Sequence, residues 1–313
     1  MKWSFTIPML VLAAGLATAQ GNRQTGGQSG QSQAAPAGGS QASQPAPTQK
    51  RAPQAKSQEE FKAYQDAAAK TDPAQMGAAA DAFAANFPTS EVREILYVQA
   101  MNLYQQNNNT EQEVAFARKA IALDPTDPVP LIHVASALVE TTRDTDLDRE
   151  DRLKEAAKDA QAAINNIDTG LLIPPNTPPE KVAAVRTSIT AMAYETLGMV
   201  AFYEKDFGSA EQNLLKAVDL HKAAPDPVVY LRLSVAQDHL GKFQQALESA
   251  NKAVEFSQPG STAQNLAKQQ QARLKQLIPA APSSTSPTPA AAPAPVKPAP
   301  SLPASNPPTT PPH

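Results

Sequence analysis

Cysteine is absent from this 313-residue chain. That excludes disulfides, thiolate nucleophiles, cysteine metal ligands and a lipid anchor carried on a leading cysteine. Tryptophan occurs once, as Trp3, and histidine four times, as His133, His221, His239 and His313. None of those histidines has a second His or a carboxylate at a metal-ligand spacing such as HExxH. No GxSxG elbow, Walker loop or GxGxxG turn occurs. With no nucleophile and base that can be paired, no catalytic residue, cofactor or metal is expected. Clustered basic residues are lacking too. A formal charge of −3, spread over 27 Lys and Arg and 30 Asp and Glu, gives no footprint for nucleic acid or an anionic membrane.

What is present is unevenly distributed. Residues 20–56 are mainly Gln, Gly, Ser, Ala and Pro without an aromatic side chain, and residues 279–313 hold 13 prolines and one charge, Lys297. Both stretches are too poor in apolar bulk to offset chain entropy and are expected to be disordered tails. Residues 57–278 remain for an ordered body. Ahead of them, Lys2, the apolar run from Phe5 and the small residues Ala17 and Ala19 form the pattern of a signal peptide spanning residues 1–19, cleaved after Ala19. Its apolar stretch is shorter than the ~20 residues that a bilayer span requires. The expected location is therefore periplasmic or secreted, with no transmembrane segment in the mature chain.

The ordered body contains an internal repeat. Tyr194, Leu197, Phe207, Ala210, Ala217 and Leu220 recur as Tyr230, Leu233, Phe243, Ala246, Ala253 and Phe256, each 36 residues later. Small residues at Gly198 and Ala210 let two helices approach closely, while Tyr194, Leu197 and Leu214 fill the seam. One such hairpin cannot bury its own apolar face, so several must stack. The pattern closely resembles the tetratricopeptide repeat, with the best units at 191–224 and 227–260. In the second unit Ser234 replaces the usual Gly, and Gly241 is the turn glycine. The resemblance implies an all-α solenoid of stacked helical hairpins, and no strands are expected.

Further units are weaker. A hairpin from Ser57 carries Phe61 and Tyr64, breaks at Asp72-Pro73 and continues through Met76, Phe83 and Phe87. It resembles the first helical units of tetratricopeptide proteins of the bacterial envelope. Residues 94–127 supply Tyr97, Tyr104, Ala120 and Pro125, although Met101 and Glu113 stand where the family has Gly and Ala. Thr110 is the expected cap of that unit's second helix. A fourth unit starts near Pro128, and its second helix arrives about nine residues late, after an insertion over 140–148. A proline-rich connector over 168–179 follows, with Thr177 as the expected cap of the next helix. Residues 261–277, with Leu266, Leu274 and Leu277, read as a helix capping the array.

In the insertion, Asp144, Asp146, Asp148 and Glu155 have the spacing of an EF-hand loop. Arg149 stands where that loop needs Gly, Asp151 where it is usually apolar, and Arg152 lies inside the would-be cage. A solvated acidic loop at a helix N-terminus fits better.

The resemblance implies a binding groove lined by positions 2, 5, 9, 12 and 13 of each inner helix. These are Ile95, Val98, Asn102, Gln105 and Gln106 in the third unit, and Val129, Ile132, Ser136, Val139 and Glu140 in the fourth. The regular pair gives Met192, Glu195, Met199, Phe202 and Tyr203, then Val228, Leu231, Val235, Asp238 and His239. Positions 5, 9 and 13 hold no Lys or Arg, so a carboxylate clamp lacks its charges. Met, Phe, Tyr and Val suit an apolar or extended peptide. The expected function is a non-enzymatic scaffold or adaptor of the bacterial cell envelope, binding a protein or peptide segment in the groove. The alternative is a tether or spacer that acts through the proline-rich tail at the cell wall or outer membrane.

Overall fold

The computed structural model describes residues 50–278, apart from residue 175. The expected signal peptide, most of the 20–56 linker and the 279–313 tail lie outside the described residues. Eleven helices and no strand occur among them: α1 Gln58–Ala68, α2 Pro73–Asn86, α3 Arg93–Gln106, α4 Thr110–Leu123, α5 Pro128–Thr141, α6 Arg149–Asn166, α7 Pro179–Tyr203, α8 Phe207–Leu220, α9 Pro227–His239, α10 Phe243–Phe256 and α11 Thr262–Leu277. Each packs on its neighbour in sequence, and α1 on α3, α3 on α5, α5 on α7 and α9 on α11 as well. This is the stacked-hairpin architecture of a tetratricopeptide solenoid.

Helix starts follow from short polar side chains. Ser57, Asp72, Asp127, Asp206, Asp226 and Ser261 each accept a hydrogen bond from a first-turn N–H, and Pro73, Pro128 and Pro227 stand just inside. Two caps differ from expectation. Asn109, not Thr110, caps α4 by accepting from Gln112 N at 3.2 Å. Thr177 does not cap α7, because its hydroxyl donates back to Pro174 O at 2.7 Å and closes the connector turn.

Three of the hairpin turns, α3–α4, α7–α8 and α9–α10, share one device. Asn108, Lys205 and Gly241 have φ of 55°, 64° and 71°. All three fall on the same repeat position, where the backbone must turn left-handed between inner and outer helix. Glycine takes that conformation freely, Asn with little strain, and Lys with the most.

Close approach is visible at Gly198. A Cβ there would lie 2.8 Å from Leu214 Cγ, and Ala210 and Leu214 are fully buried across the seam. Where the next repeat has Ser234 instead, its hydroxyl donates to Ala246 O at 2.7 Å, so the larger residue is absorbed by a hydrogen bond. Glu113, in the place of the family's Ala, is buried with its Oε1 2.7 Å from His133 Nδ1. The capping helix α11 buries Ala267 and Leu274, whereas Leu266 and Leu277 are exposed, because a single terminal helix has a neighbour on one side only.

Candidate functional site

A cleft opens where α5, α7 and α9 come together. It is lined by Ser136, Val139 and Glu140 from α5, Met192, Glu195, Thr196 and Met199 from α7, and Arg232 from α9. Its free space, counted out to open solvent, is about 340 Å³. Six of these residues occupy expected groove positions. They converge because α5 and α7 pack side by side, bringing the last turns of one inner helix against the middle of the next. Val139 and the two thioethers supply apolar wall, Glu140 stands exposed at the mouth, and Ser136 Oγ lies 3.2 Å from Thr196 Oγ1.

Glu195 sits at the bottom, almost wholly buried, and accepts a charged hydrogen bond from Arg232. Burial pushes its carboxyl up to about 7. The Arg232 charge opposes that rise, while the negative charges of Asp226 and Glu140 add to it. Glu195 therefore changes its charge near neutral pH inside the cleft.

Arg232 and Thr196 were outside the expected groove set. Both stand one residue beyond the fifth position of their repeats. The long Arg232 side chain spans one repeat to reach Glu195, 37 residues earlier. An acid and a base separated by about one repeat length is the sequence signal that identifies such a pair. The cleft thus holds a cation, but one engaged by a carboxylate of its own wall.

The other expected groove residues distribute differently. Ile132 is fully buried in the main core and does not line the cleft, because the α5 face that carries it is covered by neighbouring helices. Ile95 is likewise a core residue. Leu231 packs with Tyr230, Ala253 and Ala267 against the end of the array. Asp238 is committed to α11, accepting hydrogen bonds from Gln270 Nε2 at 2.9 Å and from Arg273. Phe202, Tyr203 and His239 form a separate aromatic group beyond the cleft. Phe207 stacks on His239 with 4.1 Å between centroids, and Phe202 meets both edge-on. Asn102 and Val235 are half-buried and outside the cleft lining.

The acidic insertion turns its carboxylates toward arginines rather than toward a common centre. Arg149 meets Asp144 at 3.5 Å, Arg152 meets Asp148 at 3.9 Å, and Arg118 meets Glu155 at 2.9 Å. Asp146 accepts from the Arg143 backbone N–H at 2.8 Å. Arg149, the residue that breaks the EF-hand pattern, donates to Tyr203 O and pins the insertion to the end of α7. Among the described residues no group of three or more His, Cys, Asp or Glu could hold a metal ion. No helix among them is long and apolar enough to cross a membrane.

The sequence model of the family described as Tetratricopeptide repeat matches residues 94–127. Curated proteins yield no match. Among solved structures, the chain is similar to the assembly chaperone of RpL4 (Acl4), with 10% identity and a TM-score of 0.38 over 70% of this chain and 97% of the other. It is also similar to YrrB, whose structure is titled a TPR protein with an unusual peptide-binding site, with 16% identity and a TM-score of 0.25 over 61% and 99%. The APC/C hetero-tetramer Cut9-Hcn1 matches with 12% identity and a TM-score of 0.30 over 67% and 48%. At such scores the likenesses carry no argument about the cleft.

Proposed function

We propose that this protein is a non-enzymatic interaction scaffold that holds an extended segment of a protein partner in the cleft between α5, α7 and α9. We further propose that it does so as an exported protein of the bacterial cell envelope. The observation that carries the reading is the convergence of Ser136, Val139, Glu140, Met192, Glu195 and Met199 from two successive repeats on one opening. Two methionines and a valine accommodate varied apolar side chains, and Glu140 with the Glu195–Arg232 pair offers polar partners to a backbone. A repeat scaffold does not by itself specify its ligand.

The test is affinity capture from an envelope extract with three forms of the full chain: unchanged, Glu140→Lys/Met199→Gln, and lacking residues 279–313. A groove scaffold retains its partner without the tail. It loses at least roughly tenfold in affinity, about 1.4 kcal/mol, in the double variant at an unchanged melting temperature. Capture that survives the double variant and disappears with the tail would replace this reading by the tether.

A further inference from the structure

Residues 50–56, ahead of the Ser57 cap of α1, are bound to the array, although their composition reads as linker. They run without regular structure from Lys50 to Lys56. Lys50 reaches Asp124 at the end of α4 and stands 3.5 Å from Glu94 Oε2 in the first turn of α3. The Arg51 guanidinium donates to both carboxylate oxygens of Glu91 at 2.9 and 2.8 Å. Glu91 also accepts from the Gln54 backbone N–H at 3.2 Å. Lys56 donates through Nζ to Thr89 O and through its backbone N–H to the buried Glu60 Oε2, each at 2.7 Å.

The surface beneath this segment is unusual in its burial. Glu94 and Asp127 are 6% and 5% exposed, and Asp124 borders them. Asp127 is occupied on one oxygen by the Val129 N–H that it caps. Glu94 Oε1 makes no hydrogen bond to another group of the protein, while the Glu94 and Asp127 carboxyls face each other closely enough to share a proton. Burial raises the carboxyls of Glu94 and Asp127 above their ordinary range, and the Lys50 charge opposes both shifts. Against its own burial, the Lys50 ammonium is held above its ordinary value by Asp124, Glu94 and Asp127. The pocket is built around a lysine brought from elsewhere in the chain.

We propose that Glu91, Glu94, Asp124 and Asp127 form a second docking site, for an extended chain segment carrying adjacent Lys and Arg, and that residues 50–56 of this protein fill it in cis. The site lies on the α2–α3 loop, the start of α3 and the α4–α5 turn, and does not depend on the α5–α7–α9 cleft. Charge complementarity selects the occupant: three cations, Lys50, Arg51 and Lys56, meet an acidic rim. The strap is exchangeable because its contacts are ion pairs and hydrogen bonds and none of its residues is fully buried. Arg51 and Glu91 are 64% and 39% exposed, so that pair is screened by salt and weak. A short segment held in this way opens at low free energy, and a second Lys-Arg segment then competes for the pocket.

Two measurements on the full chain test this. The first is the rate of tryptic cleavage after Lys50 and Arg51, with circular dichroism as the check on folding. The Glu91→Gln/Asp124→Asn variant should be cut about tenfold faster than the unchanged chain, at unchanged helicity. Equal rates would overturn the strap. The second uses a fluorescent peptide of residues 48–57 added to the Lys50→Ala/Arg51→Ala variant. A cis segment benefits from an effective concentration on the order of millimolar, so a pocket filled in cis must bind the free peptide at or below that range. Saturable binding that is lost when Asp124→Asn is added supports the docking site. No saturation by millimolar peptide at low salt overturns it.

Discussion

The hairpins α3–α4 and α5–α6 and the hairpins α7–α8 and α9–α10 share one architecture and differ in what fills it. The first pair belongs to one continuous core running from α1 to α7, with Leu96, Met101, Ile132 and Leu153 essentially inaccessible. The second pair is stitched from smaller clusters in which alanines do most of the contacting: Ala210, Ala217, Ala246, Ala250 and Ala253, with Leu214 and Leu233 as the larger members. The regular repeats are therefore the thinner ones. A strict small-residue signature reports helices that nearly touch, not a large mass of apolar side chains. In the irregular half, Met101 and a buried Glu113–His133 contact stand at the positions that Gly198 and Ala210 hold in the regular half.

The sharpest way to break that contrast is to change the charge at one repeat position in each half, adding it in one and removing it in the other. Ala210 is fully buried beside Gly198, so Ala210→Arg drives an unpaired cation into backbone-limited space. A loss of about 4 kcal/mol or more is expected in denaturant unfolding. Glu113 occupies the equivalent place, and Glu113→Ala removes a charge already accommodated by His133. Its cost should be only about 1–2 kcal/mol, from the histidine left without its partner. Equal costs at the two positions would mean that the repeat register assigned here is wrong.

Glu195 sits at the junction of the two halves and provides the next test. Its carboxyl is pushed up to about 7 by burial, so the protonated form is favoured by folding. The stability it contributes is complete below the unfolded value near 4.5 and is lost as pH rises through about 7. Glu195→Gln should remove that pH dependence. The difference in unfolding free energy between variant and unchanged chain should change by on the order of 3 kcal/mol between pH 4 and 8, since each pH unit of displacement is worth about 1.4 kcal/mol. A difference independent of pH would show that Glu195 is not desolvated in solution.

The smallest effect is expected at the turn. Lys205 adopts the left-handed conformation that Gly241 adopts one repeat later. Lys205→Gly relieves about 1–2 kcal/mol of backbone strain and returns part of it as unfolded-chain entropy. A net gain of about 0.5–1 kcal/mol should appear as a higher denaturant midpoint, and a lower midpoint would show that the lysine side chain stabilises the turn.

Much of the architecture was legible because it depends on local rules. The Asp-Pro and Ser helix starts, the 36-residue recurrence and the Gly198–Ala210 seam are short-range statements about backbone caps and helix contact. The cleft was legible in part. Met192, Glu195 and Met199 fall in its lining, whereas Ile132 at an equivalent kind of position is core, and Asp238 is taken by α11. Repeat positions give the direction of a side chain from its own helix. They do not say what the next helix places in front of it. Arg232 entered the cleft unforeseen for the same reason, since a long side chain reaches a site that its repeat position does not face.

The strap of residues 50–56 marks the boundary most clearly. Its composition is that of a linker, and no local preference distinguishes Lys50 from any exposed lysine. By itself the sequence determined where helices begin and end, which positions must be small and that hairpins must stack. Those properties follow from hydrogen bonds and contacts within about one repeat. Only the tertiary structure decided which carboxylates would be buried together around Glu94 and Asp127, and hence which distant cation would be drawn to them. The cost of desolvating a charge depends on the summed surroundings of all packed elements, and no single stretch of chain contains that sum.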